Sequence, residues 1–190
     1  MESIKYLIRY RNYKSMTSEK EFENILPEVK WINDEELKKK VIEVWLEAIN
    51  RGGWRGATEI PFTLSFKNSG TLVEHTRRVT KLVKSVASSR EENINMDYLI
   101  AGALLHDIGK ALEYEKVGNE IRVSEYGKKV RHPISGAQLA RELGVPEEVA
   151  HIIESHSHEG DKMKRSRESI IVHHCDFIDF ELRRREVEGD

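Results

Sequence analysis

Five side chains able to bind a metal or carry charge fall where helical spacing turns them toward the interior of this chain. In YLIAGALLHDIGKALEYE, residues 98 to 115, an apolar run ends abruptly in His106 and Asp107, and Lys110 follows. His106 continues the line of Leu99 and Ala103, and Asp107 the line of Ile100 and Ala103. His75 lies i+3 from Leu72 and i−4 from Val79, within an apolar stripe. Val149, Ile152, Ile153 and His156 fall at i, i+3, i+4 and i+7, and Asp176 sits between Val172 and Phe180. A buried ionised carboxylate costs several kcal/mol unless it is paired, hydrogen-bonded or bound to metal. Two carboxylates among several neutral imidazoles therefore call for one or two shared cations. Mixed imidazole and carboxylate donors suit divalent Fe, Mn, Co, Ni or Zn. Neighbours His106 and Asp107 differ by about 100° around a helix, yet at a helix end both can converge on one ion.

The elements that must position these groups are helical. NDEELKKKVIEVWLEAINRGG, residues 33 to 53, is an amphipathic helix with Asn33 or Asp34 as its cap and Gly52-Gly53 as its stop. Thr71 to Glu74 has capping-box spacing and opens a second helix with Leu72, Val79, Leu82 and Val86 on one stripe. The segment YLIAGALLHDIGKALEYE, residues 98 to 115, is the third main helix. EYEKVGNEIRVSEYG alternates around Gly118-Asn119 and reads as a small β-hairpin near 113–126. Further helices are expected at about 133–143 before Gly144, at 146–157 after Pro146, and at 167–186. The last of these, with SIIVHHCDFIDFEL, is apolar almost all round, which implies burial. Residues 1 to 30 read as a polar, partly helical segment that breaks near Pro27. The expected fold class is all-α, a compact helical bundle with at most one hairpin.

Bulk properties narrow the chemistry. Thirty-one basic against 33 acidic residues leave a formal charge of −2. No global positive field draws this chain to long duplex nucleic acid, whereas a local basic cluster can still serve a small anion. Cys175 is the one cysteine, which excludes an internal disulfide and a multi-cysteine zinc site and suits a reducing compartment. The apolar runs are too short to span a bilayer, and MESIKYLIRYRNYK lacks the apolar core of a signal peptide. The expected setting is cytoplasmic, with no membrane partner.

The ordered set His75, His106-Asp107, His132, His156 and Asp176 resembles the HD-domain superfamily of metal-dependent phosphohydrolases. More narrowly it resembles the HDIG-type branch, which has two extra histidines and a dinuclear metal centre. GALLHDIGKA matches that motif, RHPISGAQLARELGVPEEVAHIIESH resembles the segment supplying the extra histidines, and IIVHHCDFID takes the place of the final aspartate motif. The HD dipeptide alone carries no weight; six residues in order on separate helices do. The likeness covers about residues 70–182. It implies an HD-domain bundle over 56–190, with 1–55 as an N-terminal helical extension packed on it.

The resemblance implies that His75, His106, Asp107 and Asp176 hold one metal, and that Asp107 bridges to a second held by His132 and His156. It implies a phosphate mono- or diester of a nucleotide-like substrate, cleaved by hydroxide from metal-activated water, with Asp107 and Lys110 as catalytic groups. One or two ions of Fe, Mn, Co, Ni or Zn are expected, and Mg is admitted. Lys110, i+3 from Asp107, is placed to neutralise charge on a phosphoryl group. Arg78 and His158 are weaker substrate-binding candidates, since related sequences often carry two adjacent histidines where Ser157 intervenes here. His173 and His174 flank Asp176 and read more simply as core or surface residues. Two alternatives stay open at this point. Some HD-fold proteins with these ligands use a di-iron pair to activate O₂, and a non-catalytic nucleotide-binding module keeps the fold. A homodimer is compatible with the sequence.

Overall fold

Four of the helices here begin where a side chain accepts an orphan amide of the first turn. The computed structural model describes residues 19–189, so residues 1–18 of the expected 1–55 extension lie outside the described residues. A short helix α1 (Glu19–Ile25) leads into a 3-10 turn, Pro27–Trp31. Asp34 then caps α2 (Glu35–Gly52) by accepting from the amides of Glu36 and Leu37, and Gly53 ends it at φ 72°. Thr71 and Glu74 form the capping box of α3 (Leu72–Ser88). Asn95 caps α4 (Met96–Leu105), and one further turn, α5 (Lys110–Glu113), precedes the hairpin. Strands β1 (Tyr114–Val117) and β2 (Glu120–Val123) pair antiparallel, with Tyr114 opposite Val123 and Val117 opposite Glu120. The bundle closes with α6 (His132–Glu142), α7 (Glu147–Ser155) and α8 (Arg167–Glu188). It is an all-α bundle bearing one two-stranded sheet.

One core joins the first described residues to the middle of the bundle. Phe22, Leu26, Val29 and Ile32 are buried in the same cluster as Trp45 of α2, Leu104 and Leu105 of α4, and Val149 and Ile153 of α7. Glu28, buried at 2% exposure, joins the 3-10 turn to α3 through Arg77 Nε, 3.0 Å from Oε1. Fully burying a large aliphatic or aromatic side chain is worth about 1.5–3 kcal/mol, so these residues hold α2 firmly against α4. A second cluster, Val79, Val83, Leu99, Ala103, Ile152, Val172 and Cys175, ties α8 to α3, α4 and α7.

Two expectations are corrected. The third helix does not run through to residue 115: it stops at Leu105, turns over 106–109, makes one turn and becomes a strand. Gly109 explains the turn, because a Cβ there would lie 2.0 Å from the backbone oxygen of His132. The chain bends so that this segment can press against the start of α6. Nor is α8 buried all round. It buries Ser169, Val172, Cys175 and Asp176, while Ile170 and Ile178 are 46% exposed and Leu182 67%. Its helix neighbours are α3, α4 and α7, on the face that carries those buried residues. Among the described residues no helix is long and apolar enough to cross a membrane.

Candidate metal centre

The end of α4 makes the first half of the site. Its terminal carbonyls lack helical partners, and side chains supply them. Trp45 donates its indole N–H to Leu104 O at 2.9 Å, and His106 donates from Nδ1 to Ala103 O at 2.8 Å. The tight turn after Leu105 then points Asp107 inward. His156, immediately after α7, repeats the device by donating from Nδ1 to Ile153 O at 2.6 Å. His75 comes from the first turns of α3, His132 opens α6 ahead of Pro133, and Asp176 lies midway along α8.

These elements bring the six residues together in two groups that share Asp107. Ligand atoms of His75, His106, Asp107 and Asp176 all lie within 4.8 Å of one another, as do those of Asp107, His132 and His156. His75 Nε2 is 3.1 Å from Asp176 Oδ1 and 3.3 Å from Asp107 Oδ2, and His106 Nε2 is 3.5 Å from the same Asp107 oxygen. The other oxygen, Oδ1, faces His132 Nε2 at 3.2 Å and His156 Nε2 at 3.4 Å. Asp107 thus turns one oxygen to each group, as a bridging carboxylate must.

The hydrogen bonds behind the rings fix what the facing nitrogens carry. A backbone carbonyl only accepts, so His106 and His156 hold their protons on Nδ1 and leave Nε2 as a lone pair. His75 Nδ1 faces Asp179 Oδ2 at 2.7 Å, and His132 Nδ1 faces Glu113 Oε2 at 3.0 Å, which sets both neutral rings the same way. Nε2 of His75 and Nε2 of His106 are then two lone pairs 3.1 Å apart. With all four rings neutral, these nitrogens and two buried carboxylates converge with no ring proton between them, and a cation is what relieves that repulsion. The donor set therefore fits divalent metal.

The electrostatics agree. Burial pushes the His75 imidazole down, but hydrogen bonds to Asp107, Asp176 and Asp179 overcome it and raise it to about 9. Without metal, a proton is drawn into its place. Burial pushes the Asp107 carboxyl up, and Lys110 and His106 then hold it well below the usual carboxylate range. Asp176 likewise stays ionised against burial through His106 and His75. The cleft above is lined by the carboxylates of Asp107, Glu113, Glu159 and Asp176 against the cations Lys110 and Arg131, a net −2 with neutral histidines. A phosphate anion is repelled by that charge unless bound cations reverse its sign.

Of the other sequence candidates, Lys110 stands in the site. It is 7% exposed, its Nζ is 2.5 Å from Asp107 Oδ2, and it lines the cleft. His158 lies at the cleft mouth with its side chain 75% exposed and its Nδ1 3.1 Å from Asp161. Arg78 points elsewhere. Its guanidinium grips both oxygens of Asp179, at 2.7 and 3.0 Å, and it does not line the cleft. His173 donates to the His156 backbone oxygen at 2.5 Å, supporting the loop that carries that ligand. Asp179 and Glu113 are functional positions that the sequence pattern did not single out. Asp179 follows Asp176 by one helical turn, a spacing that flags it. Glu113 carries no such signal, since only the turn at Gly109 brings it to His132.

The family profile described as HD domain matches residues 72–181, more than half of the chain. The chain belongs to the HD-domain family. It is 32% identical over 173 residues to dihydroneopterin 2',3'-cyclic phosphate phosphodiesterase of Methanocaldococcus jannaschii, covering 84% of this chain and 69% of that protein. It is 33% identical to ribonuclease Y of Mesoplasma florum over 127 residues, 60% of this chain and 22% of that one. With ribonuclease Y of Thermobifida fusca the identity is 43% over 76 residues, 40% of this chain and 12% of that one. The chain thus spans over two thirds of the archaeal relative but under a quarter of these ribonucleases. No solved structure matches it. As an HD-domain protein it belongs among the metal-dependent hydrolases of phosphoester bonds.

Proposed function

We propose that this HD-domain protein is a phosphodiesterase for a small, nucleotide-like phosphodiester. The observation that carries the reading is Asp107, which turns one oxygen to each of two histidine-rich groups at the floor of a cleft of about 500 Å³. That volume suits a single small ligand, and the formal charge of −2 supplies no footprint for long RNA. The archaeal relative, named for its action on a small cyclic phosphate, favours hydrolysis over the oxygenase alternative.

His75, His106, Asp107 and Asp176 would hold one metal and Asp107, His132 and His156 a second, drawn from Fe, Mn, Co, Ni, Zn or Mg. Bound divalent cations supply Lewis acidity that polarises a phosphoryl oxygen and lowers the pKa of water toward 7. The chain supplies the rest. Asp107 fixes the spacing between the two groups and keeps them in one frame. Lys110, held beside Asp107 with its ammonium 4.7 Å over the Phe62 ring, neutralises charge that grows on the phosphoryl oxygens. Burial pushes this lysine down, but Asp107 reverses the direction and raises it, so it stays protonated for that role. His158 at the mouth contacts the substrate beyond the phosphate. A cytoplasmic setting rests on Cys175, a single thiol that is also buried. Of the 1–55 extension, the described residues 19–55 buttress the 56–190 unit through the shared core.

The test is elemental analysis of the purified protein, then a panel of phosphomonoesters and cyclic and linear phosphodiesters with Mn, Fe, Co, Ni, Zn and Mg. Turnover of a small diester at one to two metal ions per chain is expected. A metal-free protein inactive across the panel would sink the reading.

A further inference from the structure

The chemistry described so far occupies the cleft floor and leaves its walls unexplained. Hydrolysis of phosphate needs charge, yet Leu64, Val123, Phe177 and Phe180 also line this cleft. Phe177 and Phe180 follow Asp176 on α8 by one and four residues. The same helix that sends a carboxylate to the floor thus sends two rings up one wall. Both rings are half-buried, and their open faces meet the cleft.

Both rings are also braced by neighbouring rings. Phe180 meets Phe62 edge-on at 5.9 Å and Phe66 at 5.5 Å, and Phe62 in turn stacks on His75 at 3.7 Å. Phe177 lies 4.6 Å from the His158 ring and 4.7 Å from His173. Arg183, one turn beyond Phe180, bonds the backbone oxygens of Ser69 at 3.2 Å and Asn68 at 2.9 Å. That ties the loop bearing Phe62, Leu64 and Phe66 to α8. Rings fixed this way lose little freedom when a ligand arrives. Tyr114 and Val123 of the hairpin also line the cleft, and they sit opposite one another in the strand register. Apolar groups of α8, of the loop at Leu64 and of the hairpin thus line one slot together with the polar groups of the metal centre.

We propose that Phe177 and Phe180 are a specificity wall that takes a planar heteroaromatic ring on the alcohol esterified by the phosphate. Flat rings pack on aromatic faces whatever their hydrogen-bonding edge, so the wall selects ring-bearing esters without choosing among bases. This rests on the phosphohydrolase reading and adds to it the part of the substrate that the metal centre does not touch.

The test compares a nucleoside 2',3'-cyclic phosphate with glycerol 1,2-cyclic phosphate, which has the same reacting ring and no base. Wild type should prefer the nucleoside ester. In F177A and F180A the ratio of kcat/KM between the two esters should fall about tenfold each, mainly through KM. F177W and F180Y should restore it. The leucine variants, which keep apolar volume, should do so only partly and cover the case in which an alanine variant does not fold. Equal loss on both esters would make the rings structural and overturn the proposal, as would an unchanged ratio. If wild type cleaves neither ester, the phosphohydrolase reading fails separately. Calorimetry on the metal-loaded protein then decides the wall. A nucleoside 5'-monophosphate should bind tighter than inorganic phosphate, and equal affinity refutes the slot.

Discussion

The two histidine groups that share Asp107 are built alike behind their rings and differ at their fronts. In each, one imidazole is aimed by a carboxylate with an arginine behind it: Arg78–Asp179–His75 in the first and Arg131–Glu113–His132 in the second. In each, the other imidazole is aimed by the carbonyl three residues earlier, at a helix end. The fronts diverge. The first group adds Asp176 and buries both histidines completely, while the second has no carboxylate beyond Asp107 and opens onto the cleft through His132 and His156. The lesson is a division of labour. The first group is a four-donor holder that meets the cleft through its carboxylates alone, and the second, with three donors, meets it through both histidines and keeps room for substrate, as catalytic metal positions do. The first should bind its ion more tightly.

Removing the shared residue breaks both halves at once. Asp107→Ala should lower metal content toward zero and cut turnover by at least ~10³-fold, on the scale of losing one strong electrostatic stabiliser. It also strands the Lys110 ammonium in a buried site. Elemental analysis and steady-state kinetics check this. Retained metal with full activity would end the bridging assignment and the comparison with it.

Much of this arrangement is legible in the sequence. The capping box at Thr71, the αL stop at Gly53 and the hairpin around Gly118 are local chemistry, written within a few residues of where they act. The six convergent residues are legible too, through apolar-face positions for His75, His106, Asp107, His156 and Asp176 and through the family motif for His132. What stays hidden is pairing between segments. Glu113 reaches His132 only because Gly109 lets the turn touch α6, and no periodicity encodes that. α8 misleads for a related reason: an apolar helix is buried only where neighbours exist, and its Ile170, Ile178 and Leu182 face outward.

The next test uses protons as rivals of the first-group ion. In the metal-free protein His75 is raised to about 9, above its unfolded value of about 6.5. A raised imidazole contributes stability that is complete below about 6.5 and lost as pH climbs through 9. His132 is raised too and adds to the fall, whereas His156, pushed down by burial, changes stability only below about 6.5. Thermal unfolding with chelator present should therefore drop between pH 6.5 and 9, by up to ~3 kcal/mol. With metal bound the nitrogen is taken, and the slope should flatten. A flat profile for the metal-free protein would remove the argument that the first group demands positive charge.

The backing carboxylates separate the halves. Asp179→Asn and Glu113→Gln keep shape but weaken the hold on one imidazole each, which costs roughly 10- to 100-fold in metal affinity at comparable sites. Competition titrations should show two different curves: Asp179→Asn loosens the tighter ion and Glu113→Gln the weaker one. Turnover at saturating metal should recover in both, because neither residue is a ligand. If both variants lose the same ion, the two groups are not separate sites.

The smallest effect tests the outermost link. Arg78 is 42% exposed where it grips Asp179, and Arg131 is 51% exposed beside Glu113. Ion pairs open to water contribute about 0.2–1 kcal/mol. Arg78→Ala should therefore weaken the first ion by no more than about fivefold, and salt should mimic part of the loss in wild type. Arg131→Ala should do the same at the second group. Its guanidinium also bonds Glu159 at 3.1 Å in the cleft wall, so it should raise the KM for substrate as well. Arg78→Ala should leave KM alone at saturating metal, because its side chain does not line the cleft. That split between an arginine acting only through a ligand and one that also faces substrate is the finest prediction of a four-donor holder beside a more open group.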